Sequence, residues 1–161
     1  MPETASSIPA AGTKAPSFSL DSSDGTKVSL ASLKGRKAVL YFYPKDDTPG
    51  CTTEAQEFRD LMGEFKELGV AVFGISPDGV ESHCKFIGKQ GLTFPLLADL
   101  DHKVAGKFGL WVEKSMYGKK YWGVQRATFL IDKSGKIAFA WPKVSPKGHA
   151  QEVLDAAKAM T

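Results

Sequence analysis

Cys51 lies in the segment Tyr43-Pro44-Lys45-Asp46-Asp47-Thr48-Pro49-Gly50-Cys51-Thr52-Thr53-Glu54. This segment follows an apolar run and precedes a helical pattern. A strand end that meets a helix start is where ligands of open α/β sheets bind. Thr48 suits an N-cap and Pro49 the first helical position, so Cys51 falls in the first turn. Free backbone N–H groups and the positive end of the helix dipole favour a thiolate there. A thiolate is a nucleophile, but fast chemistry also needs an electrophile held in line and donors for the charge on a departing oxygen. The bland alternative is an inert core cysteine, because positions 51, 55, 58, 62 and 65 share one apolar helix face. The strand end, the cap and the Pro-Gly turn favour the reactive reading.

The second cysteine has two readings. Val80, Cys84 and Ile87 form an apolar stripe, so Cys84 is either a small core residue or a second working thiol. A phosphate-binding Cys-x5-Arg loop is excluded, since Gln90 and Glu57 stand six residues after Cys84 and Cys51. No Cys-x-x-Cys occurs, which disfavours a general dithiol oxidoreductase. The spacing of the two cysteines and three histidines argues against a zinc site, and no cofactor motif is visible. His102 and His149 read as surface residues at helix starts, and Trp141 as packing.

The elements that must position Cys51 follow from periodicity. Residues 2 to 16 are rich in Ala, Ser, Pro, Thr and Gly and read as mobile. Residues 1–12 are taken as a flexible tail and 13–161 as one domain. Phe18 to Leu20 and Lys27 to Leu30 flank an Asp24-Gly25 turn, which predicts a hairpin. Lys37 to Tyr43 reads as a strand buried on both faces. Ala55, Phe58, Met62, Phe65 and Leu68 recur at helical spacing, and Val70 to Ser76 is a second buried strand. Residues 37 to 76 thus form a βαβ unit with parallel strands. A helix over about 78–90, a strand at 94–98 and a short helix at 101–108 follow. Residues 109 to 125 read as a long aromatic loop that packs over the domain or lines an entrance or a contact with a reductase. A hairpin joins 128–131 to 137–141, and a helix over 149–160 ends the pattern, with Val153, Leu154 and Ala157 inward. The class is α/β, a mixed sheet with helices on both faces.

Composition excludes several functions. Of 161 residues, 42% are hydrophobic and 24% charged, enough for a core and too apolar for a disordered chain. The net charge of +3 arises from 21 basic and 18 acidic residues with no basic stripe, so nucleic-acid binding is weakly supported. No apolar run suits a membrane helix, and the first residues carry no export signal, which points to a reducing cytoplasm.

Pro44-x-x-x-Thr48-x-x-Cys51 resembles the active-site signature of the peroxiredoxins. The string Tyr41 to Thr52 looks like their bacterioferritin comigratory protein, or peroxiredoxin Q, branch. Ala15 to Phe18, Gln90 to Leu96 and Gly118 to Asp132 are similar to the same branch, so the likeness covers nearly the whole chain after the tail. The resemblance implies a thioredoxin-like fold with an N-terminal β-hairpin, and thiol-dependent reduction of hydrogen peroxide and organic hydroperoxides. It makes Cys51 the peroxidatic cysteine. Thr48 would hydrogen-bond the thiolate and the peroxide, Pro44 would shield the site, and Arg126 would lie beside Cys51. Glu54 matches a frequent family acid and would orient Arg126. Cys84 is the candidate resolving cysteine, one helical turn before the position used by other members, which here is Ile87. The resemblance further implies recycling by thioredoxin or another dithiol reductant, and a monomer. The alternatives are a one-cysteine cycle with an external thiol and a redox-sensing thiol protein.

Overall fold

The computed structural model describes residues 8–160. Along the chain lie β1 (Ser19–Ser22), β2 (Lys27–Ser29), β3 (Lys37–Phe42), α1 (Pro49–Glu67), β4 (Val70–Ser76), α2 (Val80–Gln90) and β5 (Leu96–Ala98). They are followed by α3 (Lys103–Lys107), β6 (Trp111–Met116), β7 (Lys119–Val124), β8 (Ala127–Ile131), β9 (Ile137–Trp141) and α4 (His149–Ala159). Seven strands form one mixed sheet in the order β2-β1-β5-β4-β3-β8-β9. β3 pairs parallel with β4 and β4 with β5, while β8 runs antiparallel to β3 in the register Val39↔Leu130.

Alternation along β3 builds two cores. Ala38, Leu40 and Phe42 face a layer with Phe73, Ile75, Phe108, Phe129 and Ile131. Val39 and Tyr41 face Phe58 and Phe65 of α1, Phe86 of α2, and Val153 and Leu154 of α4. A strand covered on both faces must be apolar at every position, which is why β3 and β8 carry no exposed residue beyond the half-buried Lys37. The arrangement is the thioredoxin fold, with α1, α2 and α4 on one face and α3 on the other.

Four expectations are corrected. Residues 12–16 are zipped onto the sheet rather than mobile: the Gly12 N–H donates to Ile137 O at 2.7 Å, and Ile137 N–H to Thr13 O at 2.8 Å. Ile8 also packs on the core; the rest of the expected tail, residues 1–7, lies outside the described residues. The stretch 109–125 is the two-stranded hairpin β6–β7, not a loop, turned by Tyr117 and Gly118 at φ 53° and 79°. Trp111 packs inward and stacks on His102 at 3.6 Å, but Met116, Tyr117, Tyr121 and Trp122 are exposed. α2 turns His83 and Phe86 inward, so Cys84 is exposed and not a core residue. His149 is buried, its Nε2 2.8 Å from Thr128 Oγ1 and its Nδ1 3.0 Å from Glu152 Oε1. Burial lowers its pKa, against the pull of Glu152.

Candidate active site

β3 delivers the chain to the site. Its parallel pairing continues one residue further, where the Tyr43 N–H donates to Ile75 O at 3.0 Å, and Pro44 then turns the chain out of the sheet. Residues 45–48 lead into α1, with Asp47 left-handed at φ 63°, a conformation Asp tolerates better than most residues. Thr48 has the extended backbone of an N-cap, and its carbonyl accepts from Thr52 N–H at 2.8 Å. Its hydroxyl does not cap the helix, however. It donates to Lys45 O at 2.9 Å, and no hydrogen bond joins it to Cys51 among the described residues. Its lone pairs remain available to a ligand.

Cys51 lies in the first turn of α1 and is 2% exposed. Arg126 reaches it from the two-residue link between β7 and β8. Arg126 Nη2 donates to Cys51 Sγ at 3.3 Å, and Nη1 donates to Glu54 Oε1 at 2.6 Å. Gly50 makes the approach possible: a Cβ there would sit 3.2 Å from Nη2 and 3.3 Å from Pro146 Cγ. The 142–148 segment is tied to the Arg126 backbone and to α1. Val144 N–H donates to Arg126 O at 3.1 Å, and Gly148 N–H donates to Glu57 Oε1 at 2.8 Å.

The charges are closely coupled. Burial pushes the Glu54 carboxyl up to about 7 even though Arg126 pulls it down. Glu54 Oε2 is buried with no hydrogen-bond partner among the described residues. Burial opposes the Arg126 charge, but Glu54 and Cys51 outweigh it and raise the guanidinium pKa further. Tyr41 stacks on Phe58 at 4.7 Å behind the site. Burial, then the nearby Glu54 and Cys51, drive its phenol pKa well above the usual value. Glu54 lies on the inward face of α1, three residues after Cys51 and four before Phe58, where a carboxylate is seldom buried without a partner.

A second polar cluster went unread in the sequence. The Asp46 carboxylate accepts from Tyr43 OH at 2.5 Å and from Ser82 Oγ at 2.8 Å, and it lies 2.7 Å from His83 Nδ1. His83 Nε2 donates to Leu97 O at 2.9 Å. Asp78 Oδ2 accepts from Asp46 N–H at 2.8 Å and from Ser76 Oγ at 2.6 Å. Burial alone would raise the Asp46 pKa, but the bonds from His83 and Tyr43 outweigh it and hold it below the ordinary value. Asp46, Asp78 and His83 offer ligand-type atoms within 4.8 Å of one another. Those atoms are engaged in hydrogen bonds to one another and to the backbone, as in a structural polar network.

The two thiols are apart. Cys84 Sγ lies 3.4 Å from Ser23 O, beside the β1–β2 turn. Cys51 Sγ instead accepts from Arg126 Nη2, at the end of β3, three strand steps from β1 in the sheet.

The AhpC/TSA family model matches residues 11–140. The chain belongs to the AhpC/TSA family. A putative peroxiredoxin of Coxiella burnetii is 51% identical over 143 residues, which cover 89% of this chain and 95% of that protein. A Bacillus subtilis peroxiredoxin Bcp is 49% identical, with 93% and 96% covered. A solved structure of Xanthomonas campestris peroxiredoxin Q superposes with a TM-score of 0.83 at 46% identity, with 88% and 90% covered. A bacterioferritin comigratory protein from the same organism, studied for its alkyl peroxide reduction activity, gives 0.84 at 45%, with 89% and 91% covered. This peroxiredoxin is therefore of the peroxiredoxin Q branch and is a thiol-dependent peroxidase: it takes a peroxide as oxidant and a thiol as reductant.

Proposed function

We propose that Cys51 is the peroxidatic cysteine and that Arg126, Thr48 and Pro44 complete its site. The observation that carries this is the 3.3 Å bond from Arg126 Nη2 to the buried Cys51 Sγ at a helix N-terminus. The thiolate attacks the terminal oxygen of ROOH, the O–O bond breaks, and the departing RO⁻ takes a proton to become ROH or water. Cys51 becomes a sulfenic acid. Arg126 offers fixed donors and a permanent charge to the reacting oxygens. Thr48 has free lone pairs for the peroxide proton, and Pro44 walls the pocket. Glu54 holds Arg126 in place.

Cys84 then resolves the intermediate. Its thiol attacks the Cys51 sulfur, a disulfide forms, and the hydroxyl leaves with a proton as water. The exposed thiol of Cys84, on a helix with few apolar contacts, supports this reading. A disulfide needs Cα atoms within about 7 Å, so the first turn of α1 and the first half of α2 unwind locally. Thioredoxin or another dithiol restores both cysteines. Hydrogen peroxide and organic hydroperoxides are the substrates, residues 13–161 are the single working domain, and the protein acts as a cytoplasmic monomer. Among the described residues no helix is long and apolar enough to cross a membrane.

The experiment is intact mass after one equivalent of hydrogen peroxide, with Cys51→Ser as control. Loss of two hydrogens by a monomer supports the Cys51–Cys84 cycle. Gain of one oxygen with Cys84 free overturns it in favour of a one-cysteine cycle. Retained turnover in Cys51→Ser overturns the whole site.

A further inference from the structure

We propose that Asp46 and His83 form a buried latch that holds the peroxide-reducing conformation closed and sets how fast Cys84 reaches oxidised Cys51. The inference rests on the reading of Cys84 as the resolving cysteine.

Asp46 lies in the short segment that leads from β3 to Cys51, five residues before it. His83 is the neighbour of Cys84 on α2. A 2.7 Å contact between His83 Nδ1 and Asp46 Oδ2 therefore joins the segment that precedes Cys51 to the helix that carries Cys84. Both side chains are buried, at 0% exposed for His83 and 3% for Asp46. Cys84 cannot leave its place over the β1–β2 turn unless His83 leaves the core.

Other contacts also fasten α2: Ile87 packs against the core, and Arg59 Nη1 donates to Gln90 O at 2.7 Å. His83 and Phe86 are its buried residues. Gln56 and Gln90 share a hydrogen bond of 2.8 Å, and Lys89 pairs with Asp47 at 3.0 Å on the exposed side. Exposed pairs of that kind contribute little. A short helix with only His83 and Phe86 buried opens more readily than the core strands, and its buried polar bonds weigh on that opening. The Asp46 carboxylate gathers three of these, from Tyr43, Ser82 and His83, so one residue ties β3, α2 and the cysteine loop into a unit. Asp46 and His83 touch neither sulfur and are positioning residues.

Each turnover is then a race. The sulfenic acid of Cys51 either waits for Cys84 or meets a second peroxide and becomes a sulfinic acid. A closed latch prolongs the wait. Loosening it speeds disulfide formation and protects Cys51 from the second oxidation, while the closed pocket that reduces the first peroxide is populated less.

The test compares wild type with His83→Gln and, as a milder change that keeps the core filled, Ser82→Ala. Reduced proteins are mixed with rising hydrogen peroxide, and disulfide and sulfinic acid are counted by intact mass. Losing a buried charge-assisted bond shifts an opening equilibrium by about tenfold or more. His83→Gln is expected to raise the peroxide concentration that half-converts Cys51 to sulfinic acid by about tenfold. Ser82→Ala moves it in the same direction by about threefold. A purely structural role lowers the first-step rate and leaves this partition unchanged, and that result overturns the latch while leaving Cys84 as the resolving thiol. Absence of the disulfide in wild type overturns the role of Cys84 and the latch with it. Should His83→Gln fail to fold, Ser82→Ala alone decides: an unchanged partition overturns the proposal.

Discussion

Replacing Glu54 by Gln should remove a pH dependence that the fold builds into the active site. Burial lifts the Glu54 carboxyl from the ordinary 4.5 to about 7 against the opposing pull of Arg126. A rise of that size corresponds to about 3 kcal/mol of preference for the neutral carboxyl in the folded state. The folded pKa lies above the unfolded one. The contribution is therefore complete below about pH 4.5 and is lost as pH rises through about 7. The substituted amide is neutral throughout and keeps an oxygen for Arg126 Nη1. Relative to wild type, the variant should gain stability by up to about 3 kcal/mol between pH 4.5 and 8.5. Asp46 has the opposite sign, since its folded pKa is lowered, but it is common to both proteins and cancels in the difference. Urea unfolding of the reduced proteins at half-unit pH steps measures this directly. The first-step peroxidase rate adds a second reading: the wild-type-to-variant ratio should climb through about pH 7 as the bond to Arg126 becomes charge-assisted, by about tenfold at most. Parallel stability curves for the two proteins would refute the assignment of a buried, neutral-leaning Glu54.

Two glycines test the packing around the site. Gly50→Ala puts a Cβ 3.2 Å from Arg126 Nη2, so peroxidase activity should fall by about tenfold or more while the melting temperature moves little. Gly74→Ala instead meets Leu96 Cδ2 at 2.7 Å and Tyr41 Cζ at 2.8 Å. It should cost about 1–3 kcal/mol, read as a fall in melting temperature, because both neighbours are fixed in the core.

The sequence makes the site legible where chemistry and element boundaries coincide. β3 and β4 are continuous apolar runs, α1 keeps a clean stripe through Ala55, Phe58 and Phe65, and the cap and Pro49 mark the helix start that holds Cys51. What stayed hidden depends on distant partners. His83 looks like a surface polar residue until Asp46, 37 residues earlier, is placed beside it. With His83 counted as polar, the stripe Val80, Cys84 and Ile87 mimics an inward face, and Cys84 is turned the wrong way. His149 is misread for the same reason, because its hydrogen-bond partner Thr128 lies 21 residues back. The hairpin 111–124 resists reading because its strands sit outside the main sheet and carry Lys114, Lys119 and Lys120 among the aromatics. It shows no apolar alternation, and only Gly118 marks its turn.

The antiparallel pairing of β3 with β8 also fixes an order in time. Arg126 follows Cys51 by 75 residues, and at about 5–20 residues per second it leaves the ribosome roughly 4–15 s later. Through that interval the nascent chain carries the thiol without its guanidinium, without β8 beside β3 and without the 142–148 segment. The Cys51 thiol is synthesised early, and the groups packed around it arrive only as the far half of the sheet docks. Completion of the chain thus brings Arg126 beside Cys51, and any truncation before residue 126 leaves the thiol without its guanidinium partner.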